Sequence, residues 1–157
     1  MAETVERDDV HGPVRSGGAA PRTIQRVENG LVVVLVIAVT VMVAPGLWWF
    51  PLATFLVFDL SMLGYARSPA VGAAWYNAIH TYSWPTVLAV LAILTDESFP
   101  TVSMWLALTA LSWGFHIGID RMLGYGLKLP DAFTHTHLGW IGQANGRTRK
   151  APGSHES

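Results

Sequence analysis

Leu31–Ala44 reads LVVVLVIAVTVMVA, an apolar run broken only by Thr40. A helix at the surface of a soluble bundle keeps one polar face, and this stretch offers none. With its flank from Thr23 it is long enough to cross a hydrocarbon core of about 30 Å at about 1.5 Å per residue. A cleaved signal peptide is the competing reading. The leader is long and acidic, however, and no A-x-A-like site follows the run, so a retained span is expected.

Working outward, the rest of the chain fits the same solvent. Hydrophobic residues make up 51% of the 157 and charged residues 13%, against roughly 25% charged in soluble domains. Pro45-Gly46 is a tight turn. A second span, about 48–63, carries Pro51 in its first turn, where the missing N–H costs little. The loop Gly64, Arg67, Ser68, Pro69 leads to a third span, about 70–94. Thr95-Asp96-Glu97-Ser98 then precedes a fourth, about 100–123. The expected fold is all-α: a four-helix transmembrane bundle over residues 23–141, flanked by disordered cytoplasmic tails at 1–22 and 142–157. Gly124–Ile141 is too polar and too broken by Gly and Pro to span, yet aromatic enough to lie against the membrane.

Orientation follows from Lys and Arg. With the N-terminus inside, the inner side receives Arg7, Arg15, Arg22, Arg26, Arg67, Arg121, Lys128, Arg147, Arg149 and Lys150, which are all 10 basic residues. The outer loops contain none. A multi-pass protein of the cell membrane with both termini cytoplasmic is expected. The net charge of -1 provides no basic field for nucleic acid. The absence of cysteine excludes disulfides and thiolate metal sites.

Polar groups within spans are costly and face the bundle interior. Here they are Glu28 and Asn29 in the first span, Asp59 in the second, Asn77, His80, Thr81 and Tyr82 in the third, and His116 and Asp120 in the fourth. Asn77, His80, Thr81 and Trp84 recur at helical spacing, as do Thr109, Ser112, Trp113, His116 and Asp120. Pro85 cannot donate to the carbonyl of Thr81, so a kink is expected there. One shared cluster in the inner half of the membrane is the economical reading. Asp59, His80, His116 and Asp120 are its candidate ligands for a divalent metal such as zinc, iron or manganese. His80, His116 and Asp120 are the candidate catalytic groups, and Glu28, Asn77, Arg121 and His137 are candidate polar neighbours.

Met62-Leu63-Gly64-Tyr65 recurs as Met122-Leu123-Gly124-Tyr125, each copy following an acid, Asp59 or Asp120. The repeat suggests two pseudo-repeated helical hairpins. Gly124–Lys128 is a candidate backbone cradle for an anion.

Several motifs in order also carry a family resemblance: Arg26-Val27-Glu28-Asn29, Asp59-Leu60-Ser61-Met62-Leu63-Gly64-Tyr65, Tyr76-Asn77 with His80-Thr81-Tyr82, His116-Ile117-Gly118-Ile119-Asp120-Arg121, Gly124-Tyr125-Gly126-Leu127-Lys128 and Thr136-His137-Leu138-Gly139. Together they resemble the domain-of-unknown-function family 4260, over about Thr23–Trp140. The resemblance implies a small multi-span membrane protein and no activity. His135 falls outside the matching pattern.

Three functional classes stay open at this point. The first is a non-enzymatic membrane protein whose polar cluster is structural and whose inner face binds a lipid or a protein partner. The second is a membrane-embedded metal-dependent or acid/base enzyme acting on an amphipathic substrate. The third is a transporter, which with so few spans requires a homo-oligomer.

Overall fold

The computed structural model describes residues 19–141. The tails expected at 1–22 and 142–157 fall outside the described residues, apart from 19–22, which already belong to the first helix. That helix, α1, is Ala19–Val43. A 3-10 turn at Pro45–Leu47 and the short α2, Phe50–Ala53, lead into a 3-10 helix over Phe55–Ala66. Then follow α3 (Pro69–Ile79), α4 (Ser83–Thr95) and α5 (Pro100–Leu123). The remainder carries a two-stranded antiparallel hairpin, β1 (His135–Thr136) with β2 (Gly139–Trp140).

Among the described residues, four stretches are long and apolar enough to cross a membrane: Pro21–Val43, Pro45–Ala66, Pro69–Thr95 and Pro100–Leu123. Half of the apolar window of α5 is buried, against 22% or less in the other three, so α5 is the axis of the bundle. α1 and α4 pack along it, and α3 pairs with the 3-10 helix. Large apolar side chains such as Leu31, Met42, Leu63, Ile93 and Leu94 point outward, as a lipid solvent requires. Lipid supplies little hydrophobic drive between helices, so close approach matters more. Gly114 and Gly118 of α5 provide it, facing the Cγ2 atoms of Val36 and Val33, which form a small core with Phe115.

The second span differs from expectation in kind. From Phe55 to Ala66 it is 3-10 rather than α, with 3 residues per turn, so side chains at i and i+3 eclipse. Val57, Leu60, Leu63 and Ala66 form one exposed column, facing lipid. Phe55, Phe58, Ser61 and Gly64 form another, partly or fully buried. The third column brings Asp59 inward beside Met62 and Tyr65. Behind it, Tyr65 packs on Gly72 of α3, so closely that a Cβ there would stand 2.2–2.4 Å from three ring carbons. Gly72→Ala is expected to cost about 1–3 kcal/mol through forced repacking. The matched control is Gly46→Ala, where no atom lies within 4 Å of the added Cβ. Thermal unfolding of both variants in detergent checks this; equal midpoints would refute it.

The third span is broken, not merely kinked. α3 ends at Ile79, and α4 begins at Ser83. The continuous stripe Asn77, His80, Thr81, Trp84 therefore does not form. The missing N–H of Pro85 bears on the carbonyl of Thr81, and the chain turns at His80–Tyr82 instead of bending through it. A break at this depth exposes carbonyls that lipid cannot satisfy. Three side chains take them up. Trp84 Nε1 donates to Ala78 at 2.9 Å, Trp113 Nε1 to Ile79 at 2.8 Å, and Arg121 Nη2 to His80 at 3.2 Å.

The two copies of Met-Leu-Gly-Tyr follow successive hairpins but adopt different conformations. Gly64 sits inside the 3-10 helix against the Gly72 backbone, whereas Gly124 caps α5 with φ +99°.

Candidate metal centre

The break and the 3-10 column together create the site. His80 is the residue at which α3 stops, so its side chain leaves the helix surface and turns toward α5. His116 and Asp120, one turn apart on α5, share a face. Asp59 arrives from the second span.

The Nε2 atoms of His80 and His116 are 2.9 Å apart. Asp59 Oδ1 lies 3.8 Å from the first and 3.6 Å from the second. Asp120 Oδ2 lies 3.5 and 3.9 Å from the same two atoms. One donor atom from each residue falls within 4.8 Å of every other. An ion held tetrahedrally at about 2.0–2.1 Å from its ligands spaces them about 3.3–3.4 Å apart, so the observed separations bracket that of a closed centre. A buried His2Asp2 cluster from three spans can thus coordinate a divalent metal or support acid/base chemistry. Both histidines are buried, His116 completely.

The surroundings orient these donors. His80 Nδ1 is 2.9 Å from the carbonyl of Tyr76. Only a protonated nitrogen can pair with a carbonyl, so Nδ1 carries the hydrogen and Nε2 turns a lone pair toward the cluster. Tyr76 also stacks on the His80 ring, with centroids 3.6 Å apart, and its hydroxyl donates to Asp120 Oδ2 at 2.8 Å. His116 packs against Phe55 and Phe58, and its Nδ1 has no hydrogen-bond partner among the described residues.

The other sequence candidates lie outside the cluster. Glu28 is exposed on α1. Its neighbour Asn29 is the buried one and accepts from the Tyr82 hydroxyl at 2.6 Å. Asn77 donates to the carbonyl of Lys128 at 2.8 Å and accepts its N–H at 2.7 Å, docking the segment after α5. Arg121 caps the His80 carbonyl. His137 accepts the N–H of Leu127 at 2.9 Å, within the C-terminal segment.

Gly124–Lys128 does not form a backbone anion cradle. The N–H groups of Gly124, Tyr125, Leu127 and Lys128 are already bonded to Arg121, Asp120, His137 and Asn77.

The burial of Lys128 escaped the sequence reading. Only 3% exposed, it points its ammonium at the faces of Phe133, Tyr76 and Tyr125, with centroids at 4.2, 5.1 and 5.6 Å. Burial lowers its pKa, and the nearby charge of Asp120 works against that shift. Such cages form between residues distant in sequence and leave no spacing signature.

No curated protein and no solved structure matches the chain. Residues 22–141 match the family described as Domain of unknown function (DUF4260), the same stretch that holds all four spans and the His/Asp cluster. Over most of its length, therefore, the chain belongs to the DUF4260 family.

Proposed function

We propose that this chain is a membrane-embedded divalent-metal protein, with Asp59, His80, His116 and Asp120 holding one ion near the cytoplasmic face. The observation that carries this reading is the meeting of two carboxylates and two imidazoles within 4.8 Å at membrane depth. Two aspartates so close repel each other, and a low-dielectric setting magnifies the repulsion. A divalent cation neutralises both at once and takes a lone pair from each Nε2, in place of the single hydrogen bond that the two rings share at 2.9 Å without it. Two nitrogen and two oxygen donors suit zinc.

Metal analysis of protein purified without chelator, then incubated with zinc, iron(II) or manganese and desalted, tests the proposal. About one equivalent of ion per chain is expected. Less than a tenth of an equivalent with all three metals would refute it.

A second, enzymatic reading is favoured by Asp59. Its side chain is 25% exposed, the most accessible of the four, and no hydrogen bond orients it among the described residues. If Asp59 gives way, His80, His116 and Asp120 remain with an open fourth position, the arrangement needed for metal-assisted hydrolysis of an amphipathic ester. Metal-loaded protein should then release product from short-chain lipid esters faster than its His116→Ala variant. Equal rates would reject the enzymatic reading and leave the metal centre standing.

The cytoplasmic placement rests on the one-sided Lys and Arg. Single cysteines at Gly46 and Asp96 are expected to react with an impermeant thiol reagent in intact cells, and one at Arg67 is not. The reverse pattern would invert the orientation.

A further inference from the structure

A second cavity lies at the end of the bundle where α1 begins and α5 stops. Its volume is about 350 Å³, and it is lined by Arg22 and Arg26 of α1, Arg121 of α5, and residues of the C-terminal segment including Thr136 and Trp140. Among the described residues, no carboxylate lines it. We propose that this cavity binds the phosphate of an anionic phosphorylated ligand, seated by Arg26 and Arg121 with Arg22 beside them. The site is separate from the metal cluster, and the proposal does not depend on an ion being held there.

The first support is the concentration of like charge. The guanidinium groups of Arg26 and Arg121, gathered at one cavity, repel each other, and an anion between them reverses that term. Arginine is also the side chain whose planar fork matches phosphate oxygens, with charge-assisted bonds about twice as strong as neutral ones.

The second support is unused donor capacity. Arg121 lies over the Tyr82 ring and gives one Nη2 bond to the carbonyl of His80, while its buried Nε has no hydrogen-bond partner among the described residues. Arg26 gives one long bond, 3.4 Å, to the carbonyl of Leu123. Each guanidinium has five N–H groups, so capping these carbonyls leaves most of the capacity of both residues unassigned.

The third support is the fit of the backbone. Gly124 and Gly139 both have positive φ, +99° and +100°. A Cβ on Gly124 would stand 2.7 Å from Arg26 Nη2, and one on Gly139 would stand 2.8 Å from Arg22 Nη2. Both glycines therefore leave room for the guanidinium groups to lie against the main chain at the cavity wall. The cavity sits where the helices leave the apolar layer, the depth of a lipid headgroup, and Trp140 is suited to that interface. Its size exceeds that needed by a bare phosphate and falls in the range of ligand pockets.

A phosphate can reach this depth as a lipid headgroup or as a soluble ion, and the test separates the sources. Full-length protein in a neutral detergent is titrated by calorimetry with dihexanoyl phosphatidic acid, dihexanoyl phosphatidylcholine and inorganic phosphate. Phosphatidic acid is expected to bind at least about tenfold tighter than phosphatidylcholine, whose choline adds a positive charge among three arginines. Phosphatidic acid binding well above inorganic phosphate assigns the site to a lipid headgroup, and equal affinity assigns it to a soluble phosphate. Both support the proposal.

Arg26→Gln should weaken the tighter ligand about tenfold, corresponding to one charge-assisted contact. Arg26 is exposed, so that variant is expected to fold. Arg121→Lys keeps the charge while losing the fork, and provides the second variant. Absence of binding by phosphatidic acid and phosphate alike would overturn the proposal. So would wild-type affinity in both variants.

Discussion

Replacing His116 with alanine is expected to strip the divalent ion from the purified protein while leaving it inserted in the membrane. His116 is fully buried and would supply one of the four donors of the proposed centre, so its loss would leave three ligands. Changing residues that merely orient a ligand costs about 10–100-fold in metal affinity, and removal of a ligand should exceed the upper end of that range. Metal content by mass spectrometry, with insertion followed by membrane fractionation, checks both halves. Were the cluster only a hydrogen-bonded network, His116→Ala would lower the unfolding temperature with no ion present to lose. Wild-type metal content in the variant would exclude His116 as a ligand.

The second large effect is expected at Asn77, outside the cluster. Its amide satisfies both the N–H and the carbonyl of Lys128, whose residue is almost wholly enclosed. Asn77→Ala leaves a buried donor and a buried acceptor without partners, at about 1–3 kcal/mol for each. It also loosens the anchor that holds Lys128 over Tyr76, the ring that stacks on His80. The variant should unfold at a distinctly lower temperature in detergent and exchange the amide of Lys128 much faster. Asn77→Asp keeps the acceptor and should fall between the two. A wild-type unfolding temperature for Asn77→Ala would show that the C-terminal segment is held by other contacts.

What could be read from the sequence follows from how far each physical cause extends along the chain. Membrane burial acts on twenty residues at a time, so the four spans stand out in an apolar run such as Leu31–Ala44. The cluster was legible because ionisable groups are scarce in spans, and Asp59, His80, His116 and Asp120 are the ones the fold brings together. Its supports were not. The 3-10 form of Phe55–Ala66 rests on a three-residue period in a stretch that is apolar almost throughout, where lipid-facing and protein-facing residues look alike. The break at His80 is tolerated because Trp84, Trp113 and Arg121 reach the freed carbonyls, and two of those three come from another span. The docking by Asn77 recognises main chain, so the sequence of its partner is silent about it. The same holds for the arginine cavity: Arg22, Arg26 and Arg121 looked like inner-side charge because their gathering is a property of three dimensions.

The second span has one more consequence. A 3-10 helix advances about 2 Å per residue and repeats every third one, so it works like a three-sided prism. Adding a single residue ahead of Asp59 would rotate one part of the prism against the other by a full side, about 120°, and Asp59 and the Phe55–Phe58 edge could no longer both meet His116. Adding three would lengthen the prism by about 6 Å and return every side to its place. Length changes in this segment should therefore obey a rule like that of a reading frame, with whole triplets tolerated and anything else scrambling what lies beyond.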